Sequence, residues 1–303
     1  MNNQDPHTLK HEDTGILMFA YNNEQIDYIR LALLAAMSAK KHMRNNQVAL
    51  MTDQGTLAWM AQSLPKDIVN RAFDHIIVED IEHEKNVRTH YDSPWNQFQA
   101  QFSNTNKHSV FHKTPFAKSL LIDVDYIIGN ANLDQIFDTN ASVAMFGEAM
   151  DLRGLPPHHY EQYLHPLGIK MWWSTAVYWQ QDEQARLFFD LWEHVKDNYE
   201  FYKFTYKFPG ALFRTDYAVS IACHLLAGQT GEEWATRISN QPMRYMDGKD
   251  DLAAVDQDGW LFLSNDRHEN WKNLAVRMQG ENVHFMNKRG LLRHWEKAME
   301  SVC

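Results

Sequence analysis

The sequence predicts an α/β fold, a mostly parallel central sheet flanked by helices with a small C-terminal extension. Three observations lead there. Uninterrupted apolar runs of strand length, Gly15 to Tyr21 (GILMFAY) and Val48 to Thr52 (VALMT), fit strands covered on both faces. Each is followed by apolar residues at helical spacing, so the chain alternates β-α-β-α-β as far as Val78. Finally, 303 residues with 44% apolar and 13% aromatic content supply a core for one large or two smaller domains.

The elements follow in order. Residues 1–14 are polar and read as a flexible tail without a signal-peptide core. After the first strand, a helix is expected from Glu24 to about His42, with Ile26, Ile29, Leu33, Leu34 and Met37 on one face and Lys40, Lys41 and His42 in its last turn. Val48 to Thr52, a helix from Thr56 to Ser63 and a strand from His75 to Val78 complete the opening. Glu79 to Phe111 is polar, anchored by Trp95, Phe98 and Phe102, and reads as a partly helical insertion or an active-site loop. Ser119 to Ile128 reads as a strand interrupted by two carboxylates, followed by a short helix from Asn132 to Phe137. Strands are expected at Val143 to Phe146 and Lys170 to Tyr178, and helices at Asp182 to Tyr199 and Asp216 to Ala227. The short strands Trp260 to Ser264 and Val283 to Met286 and a helix Leu291 to Glu300 close the chain.

Charge and cysteine content narrow the function. With 29 basic and 39 acidic residues the net charge is 29 − 39 = −10, the wrong sign for neutralising nucleic-acid phosphates over the whole surface. Two cysteines, Cys223 and Cys303, and no long apolar span point to a cytoplasmic protein without a disulfide framework. P-loop, G-x-G-x-x-G and G-x-S-x-G motifs are absent from the sequence.

The sharpest chemical signal is Leu120-Leu121-Ile122-Asp123-Val124-Asp125. Buried carboxylates need a partner or a metal, and alternate residues of an extended strand share a face. Asp123 and Asp125 would then converge on Mn2+ or Mg2+, ions that in turn bridge diphosphate oxygens. A strand end with two solvated aspartates is the other reading of the same motif. Ala20, Tyr21, Asn22, Thr52 and Asp53 fall at strand ends, where parallel sheets present ligands and where turns also need polar residues.

Lys118 to Asp138 (KSLLIDVDYIIGNANLDQIFD) resembles the metal-binding segment of GT-A-fold glycosyltransferases, especially the retaining family 8 group that contains glycogenin and bacterial galactosyltransferases. The resemblance implies a GT-A, Rossmann-like fold. It implies a base near Ala20, Tyr21 and Asn22, and a nucleotide-sugar-binding and catalytic domain over 15–245. Segment 246–303 would complete the metal and diphosphate site. Asn282 to Lys288 resembles the family's C-terminal H-F-x-G-x-x-K-P-W element, with a shorter spacing and without Pro-Trp. By that likeness His284 is a third metal ligand beside Asp123 and Asp125, and Lys288 holds the diphosphate. Ser174-Thr175-Ala176 stand where the family carries Asn-Ala-Gly, and Arg214-Thr215-Asp216-Tyr217 resembles its D-Q segment with tyrosine for glutamine.

The implied activity is transfer of a sugar, with retention, from a nucleotide-diphosphate donor, in the first place a UDP-sugar, to an acceptor hydroxyl. Asp216 would stabilise the cationic sugar or orient the acceptor, or else serve as a helix cap. Glu148 and Asp151 would touch sugar or acceptor, or lie in a solvated loop. Asp53 and Arg88 are candidates for donor binding, with a surface role the alternative for Arg88. His158, His159, Glu161 and His165 fit surface loop residues better than a zinc site. Trp172, Trp173 and Trp179 fit either an acceptor groove or the core.

The segment ILMFAYNNEQIDYIRLA also resembles glycosyltransferases encoded by tailed phages, for which the acceptor would be a hydroxylated cytosine in DNA. Lys40, Lys41, Arg44, Arg267, Lys272, Lys288, Arg289 and Arg293 would then have to gather on one side. A carbohydrate or protein acceptor needs no such face. A nucleotidyltransferase and a non-catalytic nucleotide-sugar-binding protein are the rivals from other classes.

Overall fold

The computed structural model describes residues 12–79, 86–164, 169–208, 210, 212–266, 268–269 and 272–303. Tail residues 1–11, His165, Arg267 and the side chain of His159 lie outside the described residues.

Seven strands form the central sheet: β1 (Glu12–Phe19), β2 (Val48–Thr52), β3 (His75–Val78), β4 (Phe116–Ile122), β5 (Val143–Phe146), β6 (Trp173–Gln180) and β7 (Thr236–Arg237). Their order is β7-β5-β6-β4-β1-β2-β3. All neighbours pair in parallel except β6, which runs antiparallel to both β4 and β5. The fold class is therefore as expected, a mostly parallel sheet covered by helices. Strands β2 and β3 are added on one side of β1 and β4 on the other, and such a switch point in strand order opens a crevice beyond the strand ends.

The first helix runs from Tyr28 to His42 rather than from Glu24. Asn23 Oδ1 accepts from the amides of Gln25 and Ile26, which holds this stretch in a turn, and Asp27 caps the helix by accepting from Arg30 N. Leu31 to Ala39 are all buried, not one face only. The helix packs on the closing helix Trp295–Val302 as well as inward, and Trp295 Nε1 donates to Arg30 O at 2.8 Å.

Four other expectations are corrected. The polar stretch after β3 is partly helical, in Lys107–Ser109 and Val110–Lys113, and lines the cavity described below, but it also carries an unexpected β-hairpin, Val87–Tyr91 paired with Gln97–Gln101, with Trp95 75% exposed at its tip and not an anchor. The expected strand Ser119 to Ile128 breaks in two. Strand β4 ends at Ile122, Asp123 to Asp125 form a turn closed by Tyr126 N to Asp123 O, and Tyr126–Ile127 joins a second sheet. Asp123 and Asp125 thus converge through a turn, not through strand alternation. Arg214, not Asp216, is the N-cap residue of the helix Thr215–Leu226. The expected helix Leu291 to Glu300 is two helices, Lys288–Arg293 and Trp295–Val302.

The second sheet carries the order (Tyr126–Ile127)-(Val283–Phe285)-(Met243–Met246)-(Ala149–Asp151). It mixes residues from both sides of the expected 245/246 boundary. Gly129 is where it meets the aspartate turn: a Cβ there would lie 2.3 Å from Glu281 O, and the amides of Gly129 and Asn130 both donate to Asn282 Oδ1. The glycine thus lets two backbones touch. A three-stranded antiparallel sheet, Asp251–Asp256, Gly259–Asn265 and Asn273–Met278, had no counterpart in the expected elements beyond Trp260 to Ser264.

Candidate active site

Beyond the carboxyl end of β4 opens a cavity of about 920 Å³. Asp123, Asp125 and His284 stand in its wall with ligand-type atoms all within 4.8 Å of one another, the chemistry of a mixed carboxylate-imidazole site that could hold a divalent cation. His284 Nε2 lies 3.3 Å from Asp125 Oδ1 and 3.9 Å from Asp123 Oδ2, while its Nδ1 is 3.4 Å from Thr175 Oγ1. That hydroxyl orients the ring so that Nε2 faces the carboxylates. Pairing of Val283–Phe285 with Tyr126–Ile127, together with Phe285 N donating to Asp125 O, carries the imidazole to the aspartate turn.

Two ammonium groups complete the cluster. Lys288 Nζ sits 2.6 Å from Asp125 Oδ2, and Lys107 Nζ pairs with Asp123 Oδ1. Burial works against the Asp125 carboxylate, yet Lys288 and His284 outweigh it and hold its carboxyl far below the usual range. For Asp123, burial prevails over the attraction of Lys107, and repulsion from Asp125 adds to it, so its carboxyl is raised. Burial lowers the Lys288 ammonium, but Asp125 overrides that and leaves it raised.

Other predicted residues divide. Tyr21, Arg88, Asp151, Asp216 and Lys288 line the cavity with the cluster, as do Trp173, His158 and Glu161. Ala20, Asn22, Asp53 and Glu148 do not. The Ala20 carbonyl is taken by Thr52 Oγ1, and Asn22 Oδ1 accepts from Ile29 N. Asp53 caps the helix Gln54–Ser63 through Thr56 N, and Glu148 pairs with Arg237 at 2.7 Å. Trp172 and Trp179 are core, whereas Trp173 stacks on Tyr245 at 6.2 Å in the cavity wall.

Asp216 accepts from Ser174 N at 2.9 Å and from Ser174 Oγ at 2.7 Å. Burial raises its carboxyl, but Arg214 and the Ser174 hydrogen bonds prevail and leave it lowered, so it is an anion. Arg88 stacks on Phe102, 3.5 Å from the ring centroid, and donates to Phe213 O at 2.6 Å. Burial brings its guanidinium down to about 10.

Sequence reasoning missed Lys107, Tyr28, His90 and Arg214 as residues of this cavity. Lys107 and His90 lie in the polar stretch that carries no period. Arg214 stood in a quoted motif and could have been found as a charge next to Asp216. The residues proposed to form a basic face are largely neutralised: Lys40 pairs with Asp74, Arg44 with Asp134, Lys272 with Glu269, Lys288 with Asp125 and Arg293 with Asp92 and Asp251.

No protein-family model and no curated protein matches the chain. Among solved structures it is similar to the apo form of the glycosyltransferase GlyE of Streptococcus pneumoniae TIGR4, with 12% identity and a TM-score of 0.42 over 76% of this chain. It spans less than half of that protein, 46%. It is also similar to the galactosyltransferase LgtC in complex with donor and acceptor sugar analogs (13% identity, TM-score 0.43, 69% of each chain) and to mouse xyloside xylosyltransferase 1 (14% identity, TM-score 0.41, 69% of this chain and 81% of that one). Among the described residues no helix is long and apolar enough to cross a membrane.

Proposed function

We propose that this chain is a divalent-metal-dependent glycosyltransferase of GT-A type that uses a nucleotide-diphosphate sugar, in the first place a UDP-sugar. One observation carries the reading: Asp123, Asp125 and His284 converge beside Lys288 in the wall of a cavity of about 920 Å³, beyond the carboxyl end of β4. The three residues would hold Mn2+ or Mg2+. Once bound, such an ion offsets the charge that develops on a departing diphosphate.

The protein's own groups account for the remainder. Lys288, released from Asp125, is placed to pair with a phosphate oxygen, and Arg88 presents a second cation to the same cavity. Asp216, held anionic by Arg214 and Ser174, is positioned to steady positive charge on the sugar or to orient the acceptor hydroxyl. Asp151 lines the same cavity near Trp173 and Tyr245 and would contact the sugar or the acceptor. Retention at the anomeric carbon belongs to the same proposal. The neutralised lysines and arginines favour a carbohydrate or protein acceptor over a hydroxylated cytosine in DNA.

The test is release of free nucleoside diphosphate from a panel of UDP-, GDP- and dTDP-sugars with Mn2+ or Mg2+. Saccharide, peptide and hydroxymethylated DNA acceptors are added in separate arms. Metal-dependent release from one donor, stimulated by one acceptor class, supports the reading. Binding of Mn2+ and UDP with no release from any donor replaces it with a nucleotide-sugar-binding protein. Transfer of a nucleoside monophosphate from the donor, with release of sugar 1-phosphate, replaces it with a nucleotidyltransferase.

A further inference from the structure

The hairpin of Val87–Tyr91 and Gln97–Gln101 has two faces of different chemistry. Its register pairs Arg88 with Ala100 and His90 with Phe98 on the inner face, and Thr89 with Gln99 and Tyr91 with Gln97 on the outer one. Strand alternation turns the second set to solvent, where all four residues are exposed. Trp95 stands at the tip with most of its ring in water.

None of these five outer residues is charged. A two-stranded hairpin offers open edges, and exposed strands are normally guarded by charged side chains against pairing with another chain. A hairpin face that lacks such guards, on a chain of net charge −10, suits contact with an uncharged partner. Side-chain amides and a threonine hydroxyl both give and take hydrogen bonds, as sugar hydroxyls require. The flat rings of Tyr91 and Trp95 offer apolar faces for the C–H side of a sugar ring.

This face is continuous with the cavity, because Thr89 and Tyr91 also line its wall. Tyr91 packs against the loop across the cavity: a Cβ on Gly248 would lie 3.3 Å from Tyr91 Cβ, and Lys249 Nζ sits 5.4 Å from the centre of the Tyr91 ring. From there the strand Gln97–Gln101 extends the face by about 14 Å, at about 3.4 Å per residue, more than one sugar ring needs. Trp95 is held on a fixed turn. Ser93 Oγ accepts from the amides of Trp95 and Asn96 at 3.2 and 3.0 Å, Pro94 restricts the backbone, and Arg293 holds Asp92. An aromatic ring set in place beforehand loses little freedom on binding.

We infer that the outer face of this hairpin holds the acceptor, a chain of several uncharged sugars whose end enters the cavity. This rests on the glycosyltransferase reading above.

The experiment compares wild type with Trp95→Ala and with the double variant Gln97→Ala/Gln99→Ala, positions outside the cavity wall. Uncharged gluco-, galacto-, manno- and N-acetylhexosamine oligosaccharides of one to about six units are the probes. Binding is read on an array, and kcat/KM for transfer to the same compounds is measured with the donor that wild type uses. For one series both should rise about ten-fold or more between one unit and about four, and each variant should lose most of that rise. Melting temperatures should match wild type, and kcat/KM for single-sugar acceptors should stay within about two-fold. No gain with length in any series, or a gain that both variants keep, would overturn the inference alone. Retention of unglycosylated extended peptides that Trp95→Ala abolishes, without a gain for oligosaccharides, would overturn it in favour of a peptide-docking edge. Wild type that releases nucleoside diphosphate from no donor overturns the parent reading, and this acceptor with it.

Discussion

Lys288 holds its ammonium 2.6 Å from Asp125 Oδ2, and both side chains are largely withdrawn from water, at 17% and 4% exposure. Removing one partner of such a pair leaves a buried charge uncompensated. Asp125→Asn should therefore lower stability by about 3 kcal/mol besides abolishing metal-dependent turnover. Combining it with Lys288→Met should restore most of the melting temperature and none of the activity. Mn2+ should raise the melting temperature of wild type and leave that of Asp125→Asn unchanged, as calorimetry would check.

Gly129 joins the aspartate turn to the strand that carries His284. Gly129→Ala would drive a Cβ to within 2.3 Å of Glu281 O and 2.7 Å of Glu281 N, both backbone atoms. The two segments must separate, at a cost of about 2–3 kcal/mol. Titration with Mn2+ should show weaker binding although no ligand residue has changed, and an unchanged affinity would show that this contact does not position His284.

Asp216 is buffered by Ser174, whose hydroxyl and amide hydrogen bonds an asparagine can in part keep. Asp216→Asn removes the charge with little change of shape. Turnover should fall by about 100-fold, with nucleoside diphosphate affinity within about two-fold of wild type. Parallel losses in both would assign the residue to architecture.

Asp250, in the wall of the same cavity, offers a pH signature. Burial pushes its carboxyl up to about 7, against backbone hydrogen bonds from Asn265 and Asp247. A folded value above the unfolded one means a stability contribution that is complete below about pH 4 and lost as the pH rises through the folded value. The wild-type melting temperature should decline between about pH 4 and 7 and level off above, and Asp250→Asn should flatten that decline.

Much of the fold was legible because its signals are local. The strands Val48–Thr52, His75–Val78 and Val143–Phe146 match their apolar runs residue for residue. Val48–Thr52 and Val143–Phe146 are buried along their whole length, so each apolar run stops where burial stops, while the edge strand His75–Val78 is only half covered. The hairpin Val87–Tyr91 with Gln97–Gln101 was not legible: VRTHY turns Arg88 and His90 inward and exposes Val87 and Tyr91, the reverse of the usual alternation, and QFQAQ is mostly glutamine, so both read as loop.

The sequence by itself determined the alternation that builds the sheet and the presence of two carboxylates in an apolar setting, since each follows from neighbours along the chain. Only the tertiary structure decided that Asp123 and Asp125 meet through a turn. It likewise decided that Lys107 joins them and that Asp53 caps a helix outside the cavity. The contact that brings the His284 strand to that turn, Gly129 with Asn282, spans 153 residues. Packing of one backbone against another selects such a pairing, and no local periodicity encodes it.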